Sequence, residues 1–557
     1  MKNQKQGKVC YRMNKLQNNR IYLLVRKYWI VLFILGTAVY FGSCIVINFI
    51  GRLWYNVDMY SDAFVAELMA DEMTLFPSSW TFGNQYYVVA TPVLGAIIFK
   101  IIGNSFYAMA LASSLMMVGI YLSYIWCVKP FVKKKVLIVG LFALSGGILF
   151  GTSASNSILG FQLLYTMASY YACYTIGIFF TAGIFLRIYK GISIRKFYLV
   201  VAILLNFTLG MHSLRETLIL NIPLVLMSFY LFFIKAENGR KTILFSLAML
   251  LSNGVGIILM KILIKVMNIR SNPVISKLEF YLFDKEHFVR EIRQFSQMLG
   301  LHFLKMAKFD KICILLFISA ILTILCVIFS VVRILFKKDT SPLALMILLC
   351  FVSMLLVICV GLVLFYNRDT YYFMWYFLVM LSVCYCLESL QGKRISKGIL
   401  LCLLLFIGMV NYYCNFYTDF VHYRDENEFY NRLTEEISED DIQYIYAYEW
   451  DKAYPIYCYS NNRIKIGIYD GIYENGLVNS LQCLKCDYVF EKENLDKAYF
   501  IFSEDTYQVL MKDEKENFEN LLSRLQFVKE INYESKRLNE NVKIYKPKED
   551  VFYREND

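Results

Sequence analysis

The sequence predicts an all-α polytopic membrane domain of about eleven transmembrane helices, followed by a small α/β domain outside the membrane. Three observations predict it: the composition, a series of apolar runs of span length, and basic residues in every second connection. Of the 557 residues, 58% are hydrophobic and only 18% are charged, where soluble domains hold about 45–50% apolar and about 25% charged residues. A soluble enzyme would have to hide too much apolar surface. With 8 Pro and 15 Cys in 557 residues, the chain is neither a disordered or collagen-like polymer nor a disulfide scaffold.

A helix needs about 20 mostly apolar residues to cross a bilayer. That length places spans at 28–50, 105–128, 136–152, 166–186, 197–211, 217–234, 242–263, 312–332, 342–366, 371–387 and 398–415. The third and fifth are short. The first run is too long for a signal peptide, lacks a small-residue cleavage site and reads as an anchor.

Charge then orients the spans. Residues 1–27 form a basic arm, and basic clusters recur at Lys133–Lys135, Arg187–Lys196, Lys235–Lys241, Arg333–Lys338 and Lys393–Lys397. The intervening short connections hold little beyond Arg52, Lys100, Arg215 and Arg368. The positive-inside bias makes the arm cytoplasmic and, after an odd number of spans, puts residues 416–557 outside, in a multi-pass protein of the cell membrane. The tail carries 18 Lys+Arg against 30 Asp+Glu, a net of −12, which leaves +24 on residues 1–415. That basic excess is what a membrane domain requires. No interleaved basic and aromatic patch, zinc-ligand spacing or nucleotide loop accompanies it, so nucleic acid is not a predicted partner.

Three outer segments stand out: residues 51–104, 264–311 and 416–557. Residues 264–311 are amphipathic and charged, and read as interfacial helices. The tail alternates a helical pattern (424–439), strands (443–448, 464–469, 498–503), a helix (506–524) and strands (526–532, 542–546), the order of a small α/β domain. Its Cys483-x-x-Cys486 lacks a second pair for zinc. Disulfide, free thiols and a redox pair remain open, with packing the plainest role.

The chemistry concentrates on the outer side. Asp58, Asp62, Glu67, Asp71 and Glu72 follow the first span within a segment too rich in aromatic and small residues to be an ordinary loop. Asp58 and Asp62, four apart, share one face of a helix. Arg215, with His212 beside it, and Arg368 occupy two short outer connections, and a guanidinium fork suits a phosphate. An interfacial Arg paired to Glu216 and an interface anchor are the plainer readings of these two. Tyr371, Tyr372, Trp375 and Tyr376 fit an interfacial aromatic belt.

Residues 28–128 resemble the corresponding region of the type C (GT-C) membrane glycosyltransferases, which include protein O-mannosyltransferases and the lipid A aminoarabinose transferase. Asp62 matches the acid that opens their first outer loop, and Glu67–Met73 the helix after it. Pro77 and Trp80 match a Trp–Pro region in reversed order, Gly83, Tyr86 and Tyr87 a Gly-x-x-Tyr step, and Thr91-Pro92 a Pro run. The sequence departs in having the single Pro92, and Ala63 where many relatives have a second acid. The resemblance implies transfer of a sugar from a polyprenyl-phosphate donor to an envelope glycan, lipid or protein at the outer face, with inversion at the anomeric carbon. It implies Asp62 as general base with Asp58 second, Arg215, Arg368 and His212 at the donor phosphate, and Glu67, Trp80, Asn84, Tyr86 and Tyr87 at the substrates. No cofactor is required, though either Asp could instead orient the acceptor or hold a divalent metal. The alternatives are a transporter or flippase for a lipid-linked sugar, which calls for ionisable residues inside the spans, and an envelope glycan polymerase built around residues 264–311.

Overall fold

The computed structural model describes residues 20–51, 56–147, 171–272, 281, 284–308, 311–364, 369–390, 394–449, 451–535 and 538–553. Arg368, residues 1–19 of the basic arm and parts of the third, fourth and ninth predicted spans lie outside them.

Lipid offers no hydrogen bonds, so each apolar run must satisfy its backbone internally, and helices result. They are α1 (Arg20–Ile50), α2 (Val57–Asp71), α3 (Thr91–Ile102), α4 (Ser105–Val128), α5 (Lys134–Phe142), α6 (Ala172–Tyr189), α7 (Lys196–His212), α8 (Ile222–Phe233) and α9 (Gly239–Val266). After them come α10 (Lys285–Met298), α11 (Ile312–Lys337), α12 (Pro342–Leu364), α13 (Met374–Ser389), α14 (Arg394–Tyr412) and α15 (Thr418–Ser438). Among the described residues seven helices are long and apolar enough to cross a membrane, and four shorter apolar helices accompany them. One of the four, α3, lies inside the first outer segment, where the sequence suggested only a Pro-containing lead into the second span. Pro92 sits in its first turn, a position where the missing N–H costs nothing. Ile97 and Ile101 stand exposed on its far side.

Among the described residues three π-helical turns interrupt the bundle, at Ala143–Gly147, Thr217–Asn221 and Tyr413–Tyr417. Such turns release carbonyls that need other partners. At the first of them the Tyr376 hydroxyl, buried rather than lying in an interfacial belt, donates to the Ala143 and Leu144 carbonyls. The tightest pairing joins α7 and α9. A Cβ on Gly210 would lie 2.2 Å from the Asn253 carbonyl oxygen, and one on Gly256 2.1 Å from that of Phe207. Small residues let membrane helices approach to backbone contact. Asn253 uses that proximity, donating to the Asn206 carbonyl at 3.0 Å and accepting from Thr217 at 2.5 Å.

The tail is a six-stranded mixed sheet in the order β4-β3-β2-β6-β8-β7. Its strands β2 (Tyr444–Tyr448), β3 (Lys465–Ile472), β6 (Ala498–Ser503), β7 (Leu525–Glu534) and β8 (Asn539–Pro547) fall where alternation predicts them, and β4 (Val478–Ser480) extends one edge. Central β2 runs parallel to β3 and β6, and both flanks are antiparallel. The short helix α16 (Pro455–Tyr459) lies between β2 and β3. The predicted helix 506–524 divides at Glu514 into α17 (Glu504–Asp513) and α18 (Lys515–Arg524). The helical chain runs on through residue 416, from α14 by a π turn into α15.

The three outer segments meet on one face of the bundle. Strand β1 (Trp80–Thr81) of the first pairs antiparallel with β5 (Lys485–Cys486) of the tail. Phe82 bridges Ser271 of the second segment, and Arg270 forms an ion pair with Asp487. In the second segment α10 is pinned by His287, whose ring bonds the Gly361 carbonyl at 2.7 Å and stacks on Tyr281 at 4.4 Å. Its Glu291 accepts from the buried Tyr372 hydroxyl at 3.1 Å.

Asp451, 4% exposed, accepts the Ser503 amide at 3.1 Å. Burial pushes its carboxyl up to about 6, against the lowering effect of the Ser503 amide. The folded state therefore holds this proton more tightly than the unfolded state. The stability this group contributes is full below the unfolded carboxylate value of about 3.9 and is lost as pH rises through about 6. Asp451→Asn is expected to flatten that pH dependence, measured as thermal unfolding of the detergent-solubilised protein across this range.

Candidate active site

Helix α2 begins because the Asn56 side chain accepts the Met59 amide at 3.0 Å, a standard N-cap. Its end is closed by Lys100, which reaches from α3 to the Ala70 carbonyl at 3.1 Å. The turn after it is tied by Glu72, which accepts from the Ser78 amide (2.7 Å) and the Ser79 hydroxyl (2.8 Å). Between these ends the helix is buried from Met59 through Ala70, which no solvated loop would be.

Asp62 is 2% exposed and Asp58 is half-buried one turn earlier. Burial raises the Asp62 carboxyl well above the usual carboxylate range, a hydrogen bond from the Tyr87 hydroxyl pulls it down, and the Asp58 charge raises it further. From Tyr87 a line of rings leads inward. Tyr87 lies 6.2 Å from His212, whose carbonyl also accepts the Tyr86 amide at 3.0 Å, and His212 lies 5.4 Å from Tyr174. Tyr174 bonds Ser213 at 2.6 Å and forms one wall around Arg215. The Arg215 guanidinium sits against Tyr171 (4.7 Å), Tyr174 (5.3 Å) and Tyr371 (5.1 Å). Its Nη1 has no hydrogen-bond partner among the described residues. Cation–π contacts hold the cation in place without using its N–H donors, which leaves Nη1 available to an anion.

The structure thus brings Asp58, Asp62, Tyr86, Tyr87, His212 and Arg215 into one neighbourhood. Glu67 points elsewhere, into an ion pair with Lys465 and a hydrogen bond from Tyr457 of the tail. Trp80 is fully buried against Phe64, and Asn84 is exposed. Two neighbours of Arg215, Tyr171 and Tyr174, carry no signal in the sequence beyond being aromatic. Tyr371 reads from the sequence as an interfacial belt residue and instead covers the cation. Cys483 and Cys486 are both buried free thiols, raised by burial, Cys486 to about 12. Among the described residues no group of three or more His, Cys, Asp or Glu stands together as a metal site.

Behind Arg215, Glu216 is fully buried, and neither of its oxygens has a hydrogen-bond partner among the described residues. It packs where a Cβ on Gly177 would come within 3.1 Å of Oε1. An ionised carboxylate left so would cost several kcal/mol. Glu216→Gln keeps the shape and is expected to leave thermal stability unchanged or raise it. Glu216→Ala, which opens a cavity, is expected to lower stability by about 2–3 kcal/mol. Thermal unfolding of the detergent-solubilised variants measures both.

No protein-family description matches the chain, and no curated protein matches it. Among solved structures the chain is similar to ArnT from Cupriavidus metallidurans bound to undecaprenyl phosphate, with 10% identity and a TM-score of 0.49 over 93% of this chain and 98% of that one.

Proposed function

We propose that the chain is an integral membrane glycosyltransferase that moves a sugar from a polyprenyl-phosphate donor to a cell-envelope acceptor at the outer face. The observation that carries this reading is the unbroken run from a buried, raised carboxyl to a cation with a free donor: Asp62, Tyr87, His212, Tyr174, Arg215. Glycosyl transfer needs both ends of such a run. The acceptor hydroxyl gives its proton to the Asp62 carboxylate as its oxygen attacks the anomeric carbon. The bond from that carbon to the phosphate oxygen breaks, and the electron pair leaves with the polyprenyl phosphate. Arg215 answers the charge that gathers there, where a preset cation in a low-dielectric site is most effective. Burial holds the base's proton affinity high, and the Asp58 charge adds to it. Exposed Asn84 and half-buried Tyr86 stand where the acceptor would be met. Glu67 and Trp80, engaged in packing the outer domain, support the site from behind. A transporter would need ionisable groups free within the spans. Arg187, the buried cation near the basic end, is committed to Trp126, at 3.8 Å from its ring, and to the Gly183 and Trp126 carbonyls, and so is not such a group.

Topology follows the charge. Residues 416–557 are assigned to the outside, and a reporter enzyme fused at the C-terminus is expected to signal only from there.

Asp62→Asn is expected to cut transfer from a synthetic polyprenyl-phosphate sugar by about 10²–10⁴-fold while donor binding persists. Normal turnover in this variant would sink the mechanism. The pH–rate profile supplies a second check. Because the base is raised, transfer should fall as pH drops through a midpoint above the ordinary carboxylate range. Tyr87→Phe removes the bond that lowers Asp62 and should move that midpoint up, and Asp58→Asn removes the charge that raises it and should move it down.

Arg215→Ala is expected to weaken donor binding and turnover together, with partial rescue by Lys, which lacks the fork. Unchanged donor binding would leave Arg215 a structural plug among tyrosines. Arg368 is assigned the same role on its place in the sequence and is tested alongside.

A further inference from the structure

Helix α2 has two working faces, and they point in opposite directions. Successive residues turn by about 100°, so Asp58 and Asp62 stand together and Tyr60, Phe64 and Glu67 stand together roughly half a turn away. The contacts follow that division. On the acid face Asp62 meets Tyr87. On the other face the tail takes the polar groups of Tyr60 and Glu67. The Tyr60 hydroxyl donates to the Ile466 carbonyl at 2.8 Å and accepts the Ile466 amide at 2.9 Å, occupying both main-chain groups of one residue of β3. Glu67 pairs with Lys465 and accepts from Tyr457, and the Tyr457 hydroxyl is also met by Ser105 at 2.7 Å. Phe64 lies between them, 5.0 Å from the Lys465 ammonium and 6.1 Å from the Tyr457 ring.

We infer that Tyr60, Glu67, Lys465 and Tyr457 form a clasp by which the C-terminal domain sets the rotation of α2 and so aims Asp62; the inference rests on the assignment of Asp62 as the base. The tail is then part of the catalytic apparatus without touching substrate. The four clasp groups, two on α2 and two on the tail, are positioning residues. The case is mechanical. A helix buried on both sides can lower its energy by rolling only if one side yields. On the acid side Asp62 meets the Tyr87 hydroxyl, and the Asp58 charge acts on Tyr454 and Cys483 of the tail. The tail side is held by a buried ion pair and a hydroxyl bonded twice to the main chain, so the tail side decides the roll. A roll of 20–30° on a helix with side chains reaching about 5–6 Å from its axis moves a carboxylate by about 2–3 Å, and misplacement of about 1 Å can cost as much as about 10²-fold in rate.

The test uses the full-length protein in nanodiscs. Tyr60→Phe removes one oxygen and keeps the ring. Glu67→Gln with Lys465→Met replaces the ion pair by an uncharged pair of similar size, so neither variant leaves a buried charge behind. The exchanged pair Glu67→Lys with Lys465→Glu serves as rescue. Hydrogen exchange over residues 57–71 and 105–128 is read with turnover, donor KM and the pH profile. The expected result is faster exchange in 57–71 with 105–128 unchanged, turnover lower by about 10–100-fold, donor KM unchanged, and a pH midpoint moved up as Asp62 draws away from Tyr87. The exchanged pair should recover part of the loss. A merely structural role would lower the yield of folded protein and leave the pH midpoint of the surviving fraction in place, which overturns the inference. Wild-type exchange and turnover in folded Tyr60→Phe and Glu67→Gln/Lys465→Met, with Asp62→Asn inactive, overturns the clasp and spares the base. If Asp62→Asn turns over normally, the base reading falls. The exchange arm then decides whether the tail fixes α2, with unaltered protection overturning it.

Discussion

Four acidic residues on a fifteen-residue helix are the constraint around which the contacts of α2 with the C-terminal domain are organised. Burial of α2 places Asp62 in a poor solvent and makes it a stronger base, and the same burial would leave Glu67 an isolated charge if nothing answered it. Lys465 and Tyr457 answer it. The two-residue pairing of β1 with β5 and the contact of Arg270 with Asp487 extend the same closure toward the second outer segment. Remove the burial of α2, and Asp62 returns toward the ordinary carboxylate range and Glu67 no longer needs a cation.

Within the membrane the governing requirement is different. Apolar side chains gain little by leaving lipid for one another, so helix packing depends on close fit and on polar groups that find partners. The α7–α9 contact, with Gly210 and Gly256 against facing backbone and Asn253 bonded across, meets both needs. The π turns at Ala143–Gly147 and Thr217–Asn221 occur where a side chain from another helix, Tyr376 or Asn253, engages the interrupted segment. The second of these turns follows Arg215 and Glu216 directly. It delivers the chain from α7 into α8 while leaving Arg215 among its tyrosines.

How much of this was legible in the sequence depends on the range of the interaction. The span at 105–128 is read to the residue, because lipid selects the apolar run and Asn104 caps it. Strand 498–503 is also read to the residue, since its apolar run is bounded by Lys497 and by the acids of α17. The shared face of Asp58 and Asp62 needed only helical periodicity. What the sequence withheld is contact across long separations. A two-residue strand such as Trp80–Thr81 has no periodicity to detect, and its partner lies some 400 residues away. Glu67 in a row of acids looks the same whether it faces sugar or Lys465. Tyr371 looks the same in an interfacial belt or against Arg215. The helix Thr91–Ile102 was hidden for another reason: at 12 residues it is too short for a span, and Thr91-Pro92 reads only as a lead into the second span, although Pro92 is a first-turn residue.

The hydrogen bonds between Tyr60 and Ile466 join positions 406 residues apart. A ribosome builds chains from the N-terminus at about 5–20 residues per second, so α2 emerges on the order of tens of seconds before the strand that must hold it. During that interval the acid-bearing helix lacks its final partner, and ten further predicted spans have to be inserted before the tail can follow. Non-local contacts of this kind form late, because loop closure must precede any gain from them. The order of biogenesis thereby becomes a safeguard. Under the proposed clasp, Asp62 takes its final orientation only after the C-terminal domain has folded, so a chain that lacks that domain lacks the orientation.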